Sequence, residues 1–137
     1  MRVVALDIGD VRVGIAVSDA TGSVASPVKV LPFQEVYACA KTFRRILEDY
    51  EPELLVCGLP KSLDGACGAQ AEKITQQAQH IAACCNLPLA FVDERLSSSE
   101  AKRILRAQGY KEKQMRGHID MIAASLFLQA YLDAQKG

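Results

Sequence analysis

Long apolar runs are missing from the sequence, and this absence bears on where the protein works. The longest apolar stretches fall far short of the roughly 18–20 residues needed to span a membrane. The N-terminal segment MRVVALDIGD carries an acidic residue at position 7 and lacks the apolar stretch and cleavage site of a signal peptide. We therefore expect no membrane partner and a cytoplasmic location.

Cysteine and histidine are too sparse and too scattered for a zinc site. The chain has five cysteines and two histidines, with no C-x-x-C pair. A disulfide scaffold is not expected in a chain of this size, which fits a reducing compartment. Cys39, Cys57, Cys84 and Cys85 fall in apolar periodic segments and are predicted to be buried thiols.

An excess of one charge is also absent, since 16 basic residues balance 16 acidic ones. A nucleic-acid partner usually requires a basic surface, so overall charge argues against one. The charge is unevenly distributed, however. Residues 95–116 hold seven basic and two acidic residues, a local net charge of +5. This segment is either a solvated helix face or a site that holds nucleic acid. No stripe of aromatic residues indicates sequence-specific recognition.

Half of the 137 residues are hydrophobic, which is sufficient for a single domain spanning residues 1–137. Short branched apolar runs predict strands at 3–8, 13–17, 23–31, 54–57 and 87–92. Helical periodicity predicts one helix from 34 to about 50, another from 69 to 85, one starting at 97 that stops at Gly109, and a last one near 119–130. The first three strands should form an antiparallel meander, and the helix-linked strands should extend it into a mixed sheet covered by helices.

Three acidic positions stand out because apolar residues surround them: Asp7 in the first strand, Asp93-Glu94 after the fifth, and Asp120 at the start of the last helix. A carboxylate in such surroundings is costly unless it is paired. Strand ends that face a common crevice would bring these acids together. Because Mg²⁺ and Mn²⁺ prefer carboxylate oxygens, the three positions predict a divalent cation site.

Each acid also has a simpler explanation. Asp7 could cap the turn at Gly9, Glu94 could pair with Arg95 or a lysine, and Asp120 could interact with a helix dipole. Asp93 and Glu94 are adjacent and should point to opposite faces of their strand, so only one is expected to be a ligand. Glu94 is preferred because the strand ends there and its side chain is longer, with Asp93 as the alternative.

Four segments in order, ALDIGDVRVGIAVSD, GLPKSLDGACGAQAEK, VDERLSSSEA and HIDMIAASLFLQAYL, resemble the YqgF/RuvX family of ribonuclease H-like fold. Members of that family are described as nucleases that mature the precursor of 16S ribosomal RNA and as Holliday junction resolvases. The resemblance covers nearly the whole chain. It implies an α/β fold with a five-stranded sheet of order 3-2-1-4-5 and a metal-dependent phosphodiesterase site at Asp7, Glu94 and Asp120.

On this reading the cofactor is Mg²⁺ or Mn²⁺, with Asp7 as the central ligand flanked by Glu94 and Asp120. Arg12, Lys61 and Arg95 are candidates to contact backbone phosphates. His118 is either an exposed residue at a helix start or the group that orients the attacking water. Gly9 and Gly14 are predicted to let the first hairpin turn beside a phosphate. The family usually has two basic residues before the second glycine, whereas this chain has only Arg12 after Asp10 and Val11.

Other functions stay open at this point. The actin and sugar-kinase fold shares a first-strand aspartate near glycine, but this chain is short for a two-domain clamp. An inactive nucleic-acid or ribosome-associated domain would not need all three acids. Within the nuclease interpretation, precursor ribosomal RNA ranks before junction DNA, mainly because of the family. A symmetric junction would favour a homodimer, whereas an RNA-processing enzyme could be a monomer.

Overall fold

The computed structural model describes residues 1–60, 68–94, 97–115 and 117–136. Five strands and six helices are found there. The strands are β1 (Val3–Ile8), β2 (Arg12–Ser18), β3 (Ala25–Pro32), β4 (Leu54–Leu59) and β5 (Leu89–Asp93). The helices are α1 (Phe33–Tyr37), α2 (Lys41–Tyr50), α3 (Ala69–Cys85), α4 (Ser97–Ala107), α5 (Glu112–Met115) and α6 (Ile119–Lys136). Within these ranges, no helix has the length and apolar character required to cross a membrane.

The strands form one sheet in the order β3-β2-β1-β4-β5. β1 pairs antiparallel with β2, and β2 with β3, because short turns connect them. β4 pairs parallel with β1 and with β5, since helices carry the chain back between these strands. The predicted mixed sheet and its 3-2-1-4-5 order are confirmed.

The sheet separates two hydrophobic cores, and alternate residues of β1 enter different ones. Val4, Leu6 and Ile8 pack in the larger core, together with buried residues of α1, α2 and α3. Val3 and Ala5 pack in the smaller core beneath α6. By the same alternation, Asp7 belongs to the α6 face of the sheet.

The single helix predicted after residue 34 is wrong, because two helices occupy that segment. α1 ends at Tyr37, Cys39 has a left-handed backbone with φ 52°, and α2 begins at Lys41. The apolar periodicity bridges this break, since Val36 of α1 and Phe43 of α2 are both buried in the larger core. The apolar pattern therefore predicted the buried residues correctly but not the turn at Cys39. Short helix α5 was also not predicted.

The prediction of four buried thiols holds only for Cys57. Cys39 and Cys85 are partly buried, and Cys84 is exposed. The reason lies in the geometry of α3, whose buried stripe includes Ile74, Ala78 and Ile81 and leaves residue 84 on the outer side. Cys67 lies outside the described residues.

Candidate active site

Asp7 lies near the carboxyl end of β1, the central strand of the sheet. It is paired across the antiparallel ladder with Gly14 of β2. Its side chain is on the α6 face, where the small residues Ala5 and Ala16 form the floor under the helix. Asp7 therefore carries a carboxyl group into a half-buried position between the sheet and α6.

Glu94 follows β5 directly and continues its pairing with β4. The Glu94 N–H donates a hydrogen bond to the carbonyl of Leu59 at 3.2 Å. Asp93 is paired with Leu59 within the strand, so alternation places the Asp93 and Glu94 side chains on opposite faces. Glu94 shares the face of Asp7, and the two carboxyl groups are hydrogen-bonded to each other. Geometry thus associates Glu94, rather than Asp93, with Asp7.

Gly58 of β4 makes room for this contact. A Cβ atom at Gly58 would lie 2.9 Å from Oε2 of Glu94 and 2.7 Å from the ring of Phe127. Real Cβ atoms do not approach neighbouring atoms so closely. The glycine therefore lets the Glu94 side chain lie over β4, between β5 and β1.

Asp120 enters the same region from the second residue of α6. Its Oδ2 atom lies 3.2 Å from Nε of Arg12, at the start of β2. The approach of α6 depends on Gly14, because a Cβ atom there would overlap the backbone of Asp120 and Met121. Gly14 thus lies under the helix, and the expectation that it serves the hairpin turn is wrong. Gly9 does serve that turn, since its N–H donates to the carbonyl of Arg12 at 3.0 Å.

The three carboxyl groups influence one another electrostatically. Burial is the main reason that the pKa of Asp7 is raised to about 8, and the charge of Glu94, its hydrogen bond and the charge of Asp120 raise it further. Burial also raises the pKa of Glu94, although the hydrogen bond from Asp7 opposes this effect. The shared proton therefore resides on Asp7. Burial raises the pKa of Asp120 despite the nearby Arg12 guanidinium.

This donor set suits a hard divalent cation, because it consists of carboxylate oxygens whose mutual repulsion a cation would relieve. Within the described part of the chain, no three or more histidine, cysteine, aspartate or glutamate side chains are already arranged as a metal site. Arg12 pairs with Asp120, and a proton joins Asp7 to Glu94. A bound cation would have to replace both interactions.

Of the remaining predicted site residues, only His118 lies in the described part of the chain. Lys61 and Arg95 lie outside the described residues, as does Arg116. His118 is in the turn before α6, where its Nδ1 atom is 3.1 Å from the carbonyl oxygen of Gln114 and its ring packs against Tyr110 at 5.1 Å between centroids. Its proposed contact with water remains a prediction.

The basic segment is close to α6 in the fold. Helix α4 packs against α6, which carries Asp120. The lysines of α4, α5 and the connection between them are exposed: Lys102, Lys111 and Lys113. Their positive charge therefore lies on the surface beside the helix that contributes to the acidic site.

Sequence reasoning missed the role of Gly14 and Gly58. The available signal was a series of small residues at alternate positions of β1, β2 and β4, facing the last helix: Ala5, Gly14, Ala16 and Gly58. Such a series permits a helix to approach a sheet closely. It could have indicated which face of the sheet holds the acids.

Solved structures of the same fold include two resolvases. A structure of T. thermophilus RuvC in complex with Holliday junction substrate matches with a TM-score of 0.53 and 16% identity, covering 100% of this chain and 96% of that one. The Fowlpox virus resolvase with Holliday junction DNA matches with a TM-score of 0.56 and 15% identity, covering 100% of both chains. These similarities identify a ribonuclease H-like fold.

Relatives in sequence are closer. A protein of Streptomyces avermitilis is 38% identical over 136 residues, covering 98% of this chain and 87% of the relative. Another, from Roseiflexus sp., is 37% identical over 135 residues and covers 98% and 96% of the two chains. Both are named "Putative pre-16S rRNA nuclease". The family model described as RuvX, Holliday junction resolvase, matches residues 1–134, and the chain therefore belongs to the RuvX family.

Proposed function

We propose that this protein is a metal-dependent nuclease that hydrolyses phosphodiester bonds during 5′-end maturation of pre-16S ribosomal RNA. The observation that carries the proposal is the convergence of Asp7, Glu94 and Asp120 from a central strand, a strand end and a helix start. Its substrate is inferred from the names of the relatives at 37–38% identity. We further propose that the protein works in the cytoplasm.

Asp7, Glu94 and Asp120 would hold the divalent cation, Mg²⁺ or Mn²⁺. When bound, such a cation activates water and stabilises charge on the leaving oxygen. Asp7 is suited to the central position because it is on the central strand of the sheet and interacts with both of the other acids. Loss of its proton and release of Asp120 from Arg12 would prepare the carboxylates for binding.

Positive side chains around the acids would hold the nucleic-acid backbone. Arg12 is half-exposed and adjacent to Asp120, so it can turn towards a phosphate when that ion pair is released. Lys61 and Arg95 are proposed for the same role from their sequence positions. The exposed lysines of the basic segment would extend the contact along the strand. Binding through phosphates predicts affinity that decreases as salt is added.

A Holliday junction resolvase is the second candidate, favoured by the description of the matching family model. A four-way junction is two-fold symmetric, and a resolvase acting on it should be a homodimer with two sites. A nuclease acting on ribosomal RNA could work as a monomer. The oligomeric state therefore helps to distinguish the two candidates.

The deciding experiment compares cleavage of pre-16S RNA, linear DNA and a four-way junction in Mg²⁺, Mn²⁺ and EDTA. We expect metal-dependent cleavage of the RNA, lost in Asp7→Asn, with sedimentation reporting the oligomeric state. Asp10→Asn is the matched control, because Asp10 is in the same hairpin and pairs with Lys73 instead of the acidic cluster. Equal activity of Asp7→Asn and the parent would refute the site. ATP hydrolysis without cleavage would favour a kinase-like protein instead.

A further inference from the structure

A group of three cysteine side chains lies on the other side of the sheet from the acidic site. Cys39 occupies the corner between α1 and α2, and Cys84 and Cys85 form the last turn of α3. The three cysteines line one cleft of about 280 Å³ with Arg44, Leu47 and Glu48 of α2. The cleft is open, so a small molecule can reach the thiols.

Two of these thiols face each other. Cys39 and Cys85 are both partly buried, pack against the larger core and line the same cleft. Burial raises the pKa of Cys85 to about 12, and the charge and hydrogen bond of Cys39 add to this effect. The left-handed backbone of Cys39, with φ 52°, forms the corner in which this contact occurs.

Cys84 is arranged differently, although it is the neighbour of Cys85. It is exposed, and its Sγ atom lies 3.6 Å from Nε2 of His80, one turn earlier in α3. The ring of His80 in turn stacks on Tyr37, with 4.1 Å between centroids. Cys84 thus has its own partner and provides a comparison for the Cys39–Cys85 pair within the same cleft.

We propose that Cys39 and Cys85 are a redox modification site, which forms a reversible disulfide by exchange with a low-molecular-weight disulfide. The thiolate of Cys39 attacks the small disulfide RS–SR, producing a mixed disulfide and releasing one RSH. The Cys85 sulfur then attacks the Cys39 sulfur, forming the Cys39–Cys85 bond and releasing the second RSH. Two protein thiols are oxidised, one small disulfide is reduced, and both protons leave on the two RSH molecules.

The bond would connect the α1–α2 corner to the end of α3. It closes a loop of about 45 residues that contains α2, β4 and nearly all of α3, which restricts the unfolded chain and stabilises the folded one. Because the acidic site is on the α6 face, the bond forms without displacing Asp7 or Glu94. We expect metal-dependent cleavage to be retained in the oxidised protein.

The test incubates the full-length protein with glutathione disulfide, alkylates the remaining thiols and maps the peptides by mass spectrometry. We expect one cross-link, between the peptides of Cys39 and Cys85, with Tm raised by several degrees and restored by dithiothreitol. Cys84→Ser is the control and should retain both the cross-link and the rise in Tm. Cys85→Ser and Cys39→Ser should abolish them.

Other results would overturn the proposal. They are a cross-link between any other pair, glutathione attached to Cys84 with no internal cross-link, or loss of the cross-link in Cys84→Ser. Peptide mapping of the parent protein decides the question even where a variant folds poorly. The outcome is independent of the nuclease assay, so its failure would leave the proposed function untouched.

Discussion

Arg12 and Asp120 form an ion pair, 3.2 Å between Nε and Oδ2, that connects the first residue of β2 to the second residue of α6. The pair lies at the edge of the acidic site, with the side chains 48% and 30% exposed. Arg12 thus neutralises one of the carboxylates that we propose as metal ligands.

This ion pair should compete with a cation. We expect Arg12→Gln to bind Mn²⁺ more tightly in calorimetric titrations without nucleic acid, because the guanidinium no longer occupies Asp120. The gain should be only about two- to fivefold, since exposed ion pairs contribute little. The same variant should bind RNA more weakly, with a salt dependence reduced by about one phosphate contact. Arg12→Lys keeps the charge and should retain the salt dependence. Weaker Mn²⁺ binding in Arg12→Gln would contradict this role.

The proton on Asp7 makes stability depend on pH. Its pKa is about 8 in the folded protein, above its ordinary value of 3.8, so the folded state holds a proton that the unfolded chain has lost. The free energy of unfolding should therefore fall as pH rises from about 4 to about 8 when no metal is present. Asp7→Asn removes this loss. We expect it to melt a few degrees above the parent at pH 8 in EDTA, and close to it at pH 5.

Two controls accompany these melting curves. Mn²⁺ at pH 8 should raise the Tm of the parent and leave Asp7→Asn almost unchanged, since only the parent keeps the central carboxylate. Asp19→Ala, in contrast to Asp7→Asn, should lower the stability of the folded protein near neutral pH. Asp19 accepts hydrogen bonds from Thr21, Ser23 and Val24, which lower its pKa to about 2. A lower Tm for Asp7→Asn than for the parent at pH 8 would contradict the buried proton.

The close contact between Gly14 and α6 predicts a large effect of a single methyl group. Gly14→Ala would force the added Cβ into the backbone of Asp120, and the helix would have to move. We expect a loss of at least about 2 kcal/mol in the free energy of unfolding, measured by urea denaturation, together with loss of cleavage. Gly117→Ala is the matched control, because nothing lies within 4 Å of a Cβ at that position. Similar denaturation midpoints for the two variants would argue against the packing described.

The basic segment should determine how binding responds to salt. Lys102→Gln is expected to weaken RNA binding uniformly across sequences and to reduce the slope of log affinity against log salt by about one. Lys41→Gln on α2, which packs on the other face of the sheet, should leave the slope unchanged. Fluorescence anisotropy at several salt concentrations measures both. Equal slopes for the parent and Lys102→Gln would exclude this lysine from the interface.

Much of the fold was predictable because the strands are short, apolar and separated by clear turns. The helix break at Cys39 was not, since Val36 and Phe43 keep one apolar period while the backbone turns between them. The exposure of Cys84 was also missed. Apolar composition placed α3 against the core, but the neighbouring Cys85 takes the inward position.

The sequence was sufficient to predict the three acidic residues of the candidate site. It did not predict the glycines, Gly14 and Gly58, that make room for them. Asp7, Glu94 and Asp120 stood out because charge in apolar segments is unusual, and the resemblance to a nuclease family selected the same three. The choice between Asp93 and Glu94 required strand register, since Glu94 shares the face of Asp7 only when β5 continues one residue beyond Asp93. Distances between elements far apart in sequence required the structure itself.

Gly14 and Gly58 are needed for packing of the site, whereas the three acids are proposed for its chemistry. Exchanging a carboxylate for its amide changes charge and keeps shape, so Asp7→Asn should yield an intact protein that captures its substrate without cutting it. Neither glycine offers such an exchange, because every other amino acid adds an atom where helix or side chain already lies. A catalytically silent protein for isolating the natural substrate from cells should therefore be built at the acids, with both glycines left in place.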